Sequence, residues 1–363
     1  MNGNSYRIIN EEDIPSPALL FYRERIDANI RRMLEIAGDP KRLRPHVKTH
    51  KSAELVLAQI ALGITKFKCA TIAEAEMTAA AGASEVMLAF QPIGPAVPRL
   101  LALMRLFPGI RFSTIVDCEE AVMSLAKATR SAGLSLEVFL DIDCGMHRTG
   151  VAPGPEAVRL YRMIEQTGLI AGGLHAYDGH LHEADQQSRS LQCEEAFAPV
   201  TQLRAELNAP TLIAGGSPTF AIHAAHPERE LSPGTTVLWD FGYGDKFPEL
   251  GFEPAALLLS RVISKPEPNR LCLDLGHKAV AAENPHPRVR LLELPEAMPV
   301  MHSEEHLVIE TPKAPHFAMG QCLYGIPRHV CPTVALHSEA WIVEQSQQTE
   351  RWPITARGRR ITV

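Results

Sequence analysis

Eight residues near the start of the chain, Arg44-Pro45-His46-Val47-Lys48-Thr49-His50-Lys51, hand a single lysine to the helix that follows. Side chains alternate along extended backbone, so His46 and Lys48 are expected on one face and Val47 on the other. Pro45 biases Arg44 toward extended geometry and cannot donate to a ladder, which suits the first residue of a strand. Residues 52–62 read as helix, leaving Lys48 near the strand's C-terminal end. A lysine walled there by apolar neighbours loses solvation, its pKa falls, and the neutral amine is competent for Schiff-base chemistry. The same residues also read as a solvated basic cluster, so the choice rests on the rest of the chain.

Several other groups have reactive types at suggestive spacing. Gly215-Gly216-Ser217-Pro218-Thr219 follows a predicted strand. Its freed backbone N–H groups and hydroxyls form either an anion-binding cup or a plain tight turn. Pro233-Gly234-Thr235 is a second turn able to close such a cup, and barrels commonly bind phosphate after their last strands. Arg148, in Asp143-Cys-Gly-Met-His-Arg-Thr-Gly150, is placed either to bond a phenolate or carboxylate oxygen or to stand in solvent. His175, Tyr177, His180 and His182 put four titratable groups at one strand end, with His175 and Tyr177 on one face. In His329-Val330-Cys331 an extended chain points imidazole and thiol the same way; this is either an unremarkable pair or two ligands of a metal. An N,S pair suits zinc better than magnesium or calcium, and two protein ligands leave positions open for water or substrate. His302 and His306 lie either near that pair or on open surface.

The elements that must position these groups alternate. Short β-rich runs begin at 18, 44, 64, 85, 111, 136, 170 and 211, and helical stretches separate them. Ile26, Ile30, Met33 and Leu34 share a helical face, Thr71 to Glu74 reads as a capping box, and Asp117 to Glu120 as another cap. The last unit is expected to end with Thr236 to Trp239. About eight β/α repeats in roughly 225 residues have the size and rhythm of a (β/α)8 TIM-type barrel, with a doubly wound open sheet as competitor. Beyond about residue 250 short strands divided by prolines and turn residues predict an all-β domain. The expected division is therefore an N-terminal segment (1–17) joining the β domain, the barrel (18–245), and a C-terminal β domain (246–363).

The bulk composition narrows the class. The chain has 363 residues, 45% hydrophobic and 21% charged, an ordinary globular composition. A net charge of -6 gives no reason to expect nucleic acid or an acidic membrane as partner. The first residues lack the apolar core of a signal peptide, and no apolar run reaches the ~18 residues of a membrane span. Seven scattered cysteines without a C-x-x-C pair argue against a disulfide framework. A cytoplasmic enzyme is expected.

Taken together, these residues resemble the pyridoxal-phosphate (PLP) enzymes of the alanine-racemase barrel type, in the D-threonine aldolase and D-serine dehydratase branch. Arg44 to Lys51 looks like that branch's PLP-lysine signature, and Met146-His-Arg-Thr-Gly150 resembles the arginine motif of the wider family. Tyr177-Asp-Gly-His180, Gly215-Gly-Ser217, Ser303-Glu-Glu-His306 and His329-Val-Cys-Pro-Thr333 follow in the family's order.

The resemblance implies roles. Lys48 would hold PLP covalently with His46 beside it, and Gly215, Gly216, Ser217, Gly234 and Thr235 would hold its phosphate. Arg148 would sit by the ring oxygen and Tyr177 near the ring or substrate. His329 and Cys331 would bind a divalent metal, zinc or manganese, that grips the substrate's β-hydroxyl. A homodimer is implied, the β domain of one subunit completing the other's barrel site. Racemases carry an arginine where this chain has Ser232, so PLP here would be a poorer electron sink. The implied reaction is retro-aldol cleavage of a D-β-hydroxy-α-amino acid, with His180, His182 or a metal-bound water as base. Dehydration to a 2-oxo acid and ammonia uses the same residues; the dehydratases resemble this chain in having cysteine at position 331, where the aldolases often have a carboxylate. A non-catalytic PLP carrier is the third reading, opposed by the β domain, which carriers lack.

Overall fold

Residues 3–363 are described by the computed structural model; Met1 and Asn2 of the N-terminal segment lie outside the described residues. The strands form two sheets. β1 (Ala18–Tyr22) belongs to the second. The first comprises β2 (Lys66–Cys69), β3 (Glu85–Leu88), β4 (Arg111–Val116), β5 (Glu137–Ile142), β6 (Ile170–Ala176), β7 (Thr211–Ala214) and β8 (Arg229–Leu231). These seven pair in parallel and in chain order. α1 (Arg23–Ala37) and α2 (Ala53–Ala61) precede them. α3 (Ile72–Ala80), α4 (Ala96–Leu106), α5 (Glu119–Ala132), α6 (Pro155–Gln166), α7 (Gln186–Leu207) and α8 (Phe220–Ala224) make the crossovers.

Residues 43–46 supply the eighth stave. Parallel bridges join Leu43 to Leu231 and His46 to Lys68. Arg44 N donates to Leu231 O (2.8 Å), His46 N to Pro233 O (2.8 Å), and Lys68 N to Pro45 O (2.9 Å). Pro45 has no N–H to give and offers only its carbonyl, so the stave is held by alternate bonds rather than a full ladder. This closes a (β/α)8 barrel, as the sequence predicts. The stave is shorter than expected: the chain leaves extended geometry after His46, and Val47–Thr49 is a 3-10 turn that carries Lys48. Thr235–Val237 is likewise a 3-10 turn, and β8 ends earlier, at Leu231.

Met87, Ile115, Phe139 and Ile213 fill the barrel interior. Phe139 has room only because residue 172 is glycine, where a Cβ would lie 2.6 Å from the ring. The buried Arg44 guanidinium pairs with Glu85 (2.7 Å) and Glu230 (2.8 Å), and Lys66 also pairs with Glu230. A cation so deep is tolerable only when its partners replace lost hydration. Thr71 caps α3 as predicted, accepting from Glu74 N (3.1 Å), but the Glu74 carboxylate turns back to Ala70 N (2.6 Å). Asp117 does not cap α5; it accepts from Gly150 N (3.0 Å) and ties down the Arg148 loop.

The second sheet contains β1, β9 (Ala256–Ser264), β10 (Arg270–Leu273), β11 (Val289–Leu291), β12 (Met298–His302), β13 (Leu307–Glu310), β14 (Cys322–Pro327), β15 (Glu339–Glu344) and β16 (Gln347–Pro353). Its order is β12-β13-β10-β9-β1-β15-β16, with β14 pairing both β9 and β11. β1, read in the sequence as the first barrel strand, is instead central here, antiparallel to β9 and parallel to β15. All five of its residues are buried, as a strand covered on both faces requires. Leu20, Tyr22, Leu257, Leu259, Tyr324 and Val343 build the core. Two short helices, α9 (Phe241–Lys246) and α10 (Val330–Leu336), belong to the same unit. By contacts, one unit comprises the residues up to Arg32, Thr49–Ser52 and Thr235–Arg357; the other comprises Met33–Lys48, Ala53–Gly234 and Gly358–Val363. None of the seven cysteines is in a disulfide.

Candidate active site

Lys48 is half-buried at the barrel mouth, and its backbone N donates to His46 Nδ1 (3.2 Å). Three cations surround the Tyr177 ring: Arg148 at 5.0 Å from its centroid, Lys48 Nζ at 5.4 Å and Lys68 Nζ at 5.8 Å. That much basic character around one aromatic ring suits an anionic, planar ligand. Beside it lies a cavity of about 720 Å³ lined by His46, Lys48, Phe90, Ile115, Asp141 and Arg148 among others.

Lys68 is the residue the sequence reading missed. It comes from β2, is 3% exposed, and its Nζ lies 3.4 Å from His175 Nε2. His175 Nδ1 lies 2.7 Å from Asp141 Oδ1, and Thr149 Oγ1 donates to Asp141 Oδ2 (3.0 Å). An ionised carboxylate only accepts, so Nδ1 carries the imidazole proton and Nε2 accepts from Lys68. Burial, then the Lys68 charge, holds the His175 pKa below its usual value despite Asp141. Burial, then the Lys48 charge, brings the Lys68 amine down to about 7. The K-F-K alternation of β2 was the available signal.

The Gly215–Thr219 loop is built for close approach. Gly215 has φ +75°, and a Cβ there would lie 2.3 Å from His223; one at Gly216 would lie 3.0 Å from Tyr177. Ser217 Oγ accepts from Gly234 N (3.1 Å), joining the two glycine turns. Thr235 is buried, its Oγ1 3.7 Å from Cys331 Sγ. Under the loop, Asp178 receives Thr219 Oγ1 (3.0 Å) and His223 Nε2 (2.7 Å), while Arg229 Nη1 meets His223 Nδ1 (2.9 Å). Asp178, Cys193 and His223 bring ligand-type atoms within 4.8 Å of one another. Arg229 can only donate, so Nδ1 accepts and Nε2–H donates to Asp178. A metal-bound imidazole presents its other N–H to an acceptor; here that nitrogen faces a donor, and the trio is a hydrogen-bonded support for the loop.

His180 Nδ1 is buried and meets no hydrogen-bond partner among the described residues, while His182 is exposed. Ser232 Oγ donates to Arg44 O (3.1 Å), so that position offers no cation.

In the other unit, the extended run expected through residues 329–331 breaks after His329, which is itself extended. His329 is the N-cap of α10 with φ -135°, and Cys331 lies in the first turn. The side chains still meet: a hydrogen bond links them, and His329 Nδ1 lies 2.7 Å from Glu283 Oε1. Burial opposes protonation of His329, but Cys331 and Glu283 outweigh it and the pKa rises to about 9. Cys331 Sγ is 3.2 Å from Thr49 Oγ1. Asp240 accepts from Tyr243 N (2.9 Å) and Val330 N (2.9 Å), capping α9 and fixing the start of α10 together. An imidazole whose second nitrogen is held by a carboxylate, next to a thiol, fits a divalent metal's donor set. His302 Nδ1 pairs with Arg288 (3.0 Å), and His306 is exposed.

A half-buried lysine, a glycine cradle after the seventh strand and an arginine at the mouth of a (β/α)8 barrel, with a separate β unit, define the class of PLP-dependent barrel enzymes. Residues 22–240 match the alanine racemase N-terminal domain family, and residues 255–343 a putative serine dehydratase domain. A D-threonine aldolase of Arthrobacter sp is 30% identical over 357 residues, 95% of this chain and 93% of that protein. The solved D-threonine aldolase of Filomicrobium marinum superposes with a TM-score of 0.89 at 28% identity, covering 97% of each chain. A D-threo-3-hydroxyaspartate dehydratase from Delftia sp. HT23 gives 0.82 at 25% identity, covering 94% of this chain and 98% of that one. The chain belongs to the alanine-racemase-type (fold-type III) PLP enzymes, in the branch that includes D-threonine aldolases and D-serine dehydratases. No helix among the described residues is long and apolar enough to cross a membrane.

Proposed function

We propose that the protein is a PLP- and divalent-metal-dependent lyase that cleaves D-β-hydroxy-α-amino acids, D-threonine among them, to glycine and an aldehyde. The observation that carries this reading is the Lys48, Arg148 and Tyr177 grouping beside the glycine cradle, in a chain matched over 95% of its length by an aldolase. Lys48 anchors the cofactor. Gly215, Gly216, Ser217, Gly234 and Thr235 bind its phosphate, while His46, Tyr177 and Arg148 orient the ring. When bound, PLP supplies the sink for the electron pair released as Cα–Cβ breaks. His329 and Cys331 would hold the metal, whose chemistry when bound would be to lower the pKa of the substrate hydroxyl. His180 takes the hydroxyl proton, a role favoured by its unpartnered Nδ1; His182, being exposed, is the weaker candidate. Ser232 leaves the ring nitrogen without a cationic partner, which disfavours racemisation.

The Cys331 thiol favours a second reading, elimination to a 2-oxo acid and ammonia, in which Lys48 removes the Cα proton. Product analysis separates the two. D-Threonine is expected to give glycine and acetaldehyde, with the rate lost on chelation; 2-oxobutyrate with ammonia would replace the first reading by the second. A chelator-insensitive rate would remove the metal from both.

A cytoplasmic homodimer completes the proposal. The apolar residues Met298, Val300 and Met301, exposed on the edge strand β12, support self-association. Light scattering is expected to give twice the chain mass; a monomer mass would contradict it.

A further inference from the structure

Two lysines, not one, face the Tyr177 ring, and only Lys48 has a task in the mechanism above. We propose that Lys68 is a positioning residue that sets the charge and the imidazole tautomer at the cofactor site, acting through His175 and Asp141. The inference rests on Lys48 holding PLP.

Four observations support it. The hydrogen bonds converge on one carboxylate: Lys68 donates to His175, His175 donates to Asp141, and Thr149 donates to the same Asp141. Asp141 and His175 are register partners on β5 and β6, so adjacent strands hold the chain rigidly. His175 and Asp141 both line a cavity with Arg148, Thr149 and Tyr177. Lys68 itself is buried, so its charge acts through little water.

The groups that act on Lys68 are Lys48 and Arg44, which oppose its charge, and Asp141 and Asp178, which favour it; His175 accepts its hydrogen bond and the Tyr177 ring faces it. With burial included, the amine of the cofactor-free protein changes charge near neutrality, where Lys48 is a free cation; with Lys48 tied to the cofactor that opposing charge is reduced and Lys68 keeps its proton to higher pH. A charged Lys68 disfavours a proton on the nitrogen through which Lys48 holds the cofactor; a neutral one does not. Lys68 therefore controls the pH at which the bound cofactor's visible band titrates, and not only how tightly the cofactor binds.

The test is a pH titration of that band in the PLP-loaded protein and in the variants Lys68→Met, Lys68→Gln and Lys68→Arg. Met removes charge and donor, Gln keeps a donor without charge, and Arg is a permanent cation. Met and Gln are expected to raise the midpoint by about one pH unit, and Arg to hold it at or below the parent's. Equal midpoints in the parent and all variants that retain the band overturn the proposal. Should the Met variant lose the cofactor, the Gln and Arg pair decides, and equal midpoints there overturn it as well. A parent protein without any visible band contradicts PLP binding by Lys48 itself, a separate failure.

Discussion

Asp240 holds Val330, the residue between His329 and Cys331, through a 2.9 Å bond from the backbone N–H to Oδ2, while Oδ1 receives Tyr243 N. One carboxylate thus fixes the helix start that brings imidazole and thiol together. Asp240→Asn has one oxygen for two N–H donors, one of them buried, and an unsatisfied buried donor costs about 1–3 kcal/mol. Zinc affinity measured by chelator competition is expected to fall about tenfold, as for other supports of metal ligands. Unchanged zinc affinity would remove Asp240 from this role.

Asp178 plays the corresponding part under the phosphate loop. Asp178→Asn leaves either Thr219 Oγ1 or His223 Nε2–H without its acceptor. The dissociation constant for PLP, measured by fluorescence titration, is expected to rise about tenfold, with the circular dichroism of the barrel unchanged.

Lys68 also makes stability depend on pH. Its folded pKa, about 7, lies below the unfolded value. Between the two, the unfolded chain binds the extra proton, so this residue's penalty is full at and below pH 7 and is relieved as pH rises toward the unfolded pKa. Chemical denaturation of the cofactor-free protein is expected to find Lys68→Met more stable than the parent at neutral pH, with the difference shrinking as pH rises. A gap independent of pH would contradict a neutralised, buried Lys68.

Arg44 lies 1% exposed between Glu85 and Glu230. Arg44→Met leaves two carboxylates without their buried cation and is expected to cost about 3–5 kcal/mol in denaturant unfolding. A loss below about 1 kcal/mol would place the pair effectively in solvent.

The barrel was legible because its β/α rhythm is local: Arg111–Val116 and Thr211–Ala214 fall where the sequence put them. β1 was misplaced because Ala18–Tyr22 looks the same in either sheet, and only its pairing with β9 and β15 decides. Lys48 could be picked from its neighbours Pro45 and His46, yet the turn that presents it could not. Lys68, Asp178 and Asp240 escaped because each acts on residues far along the chain: His175, His223 and Val330. His329 and Cys331 were paired for the wrong reason, since a helix N-cap rather than a strand joins them.

The account stands on Lys48 as the cofactor lysine. Borohydride reduction of the PLP-loaded protein, followed by peptide mapping, tests this directly. The predicted result is one pyridoxyl group, on the peptide containing Lys48 and absent from Lys48→Ala. A label on Lys68, or no label in a protein that binds PLP, would contradict it.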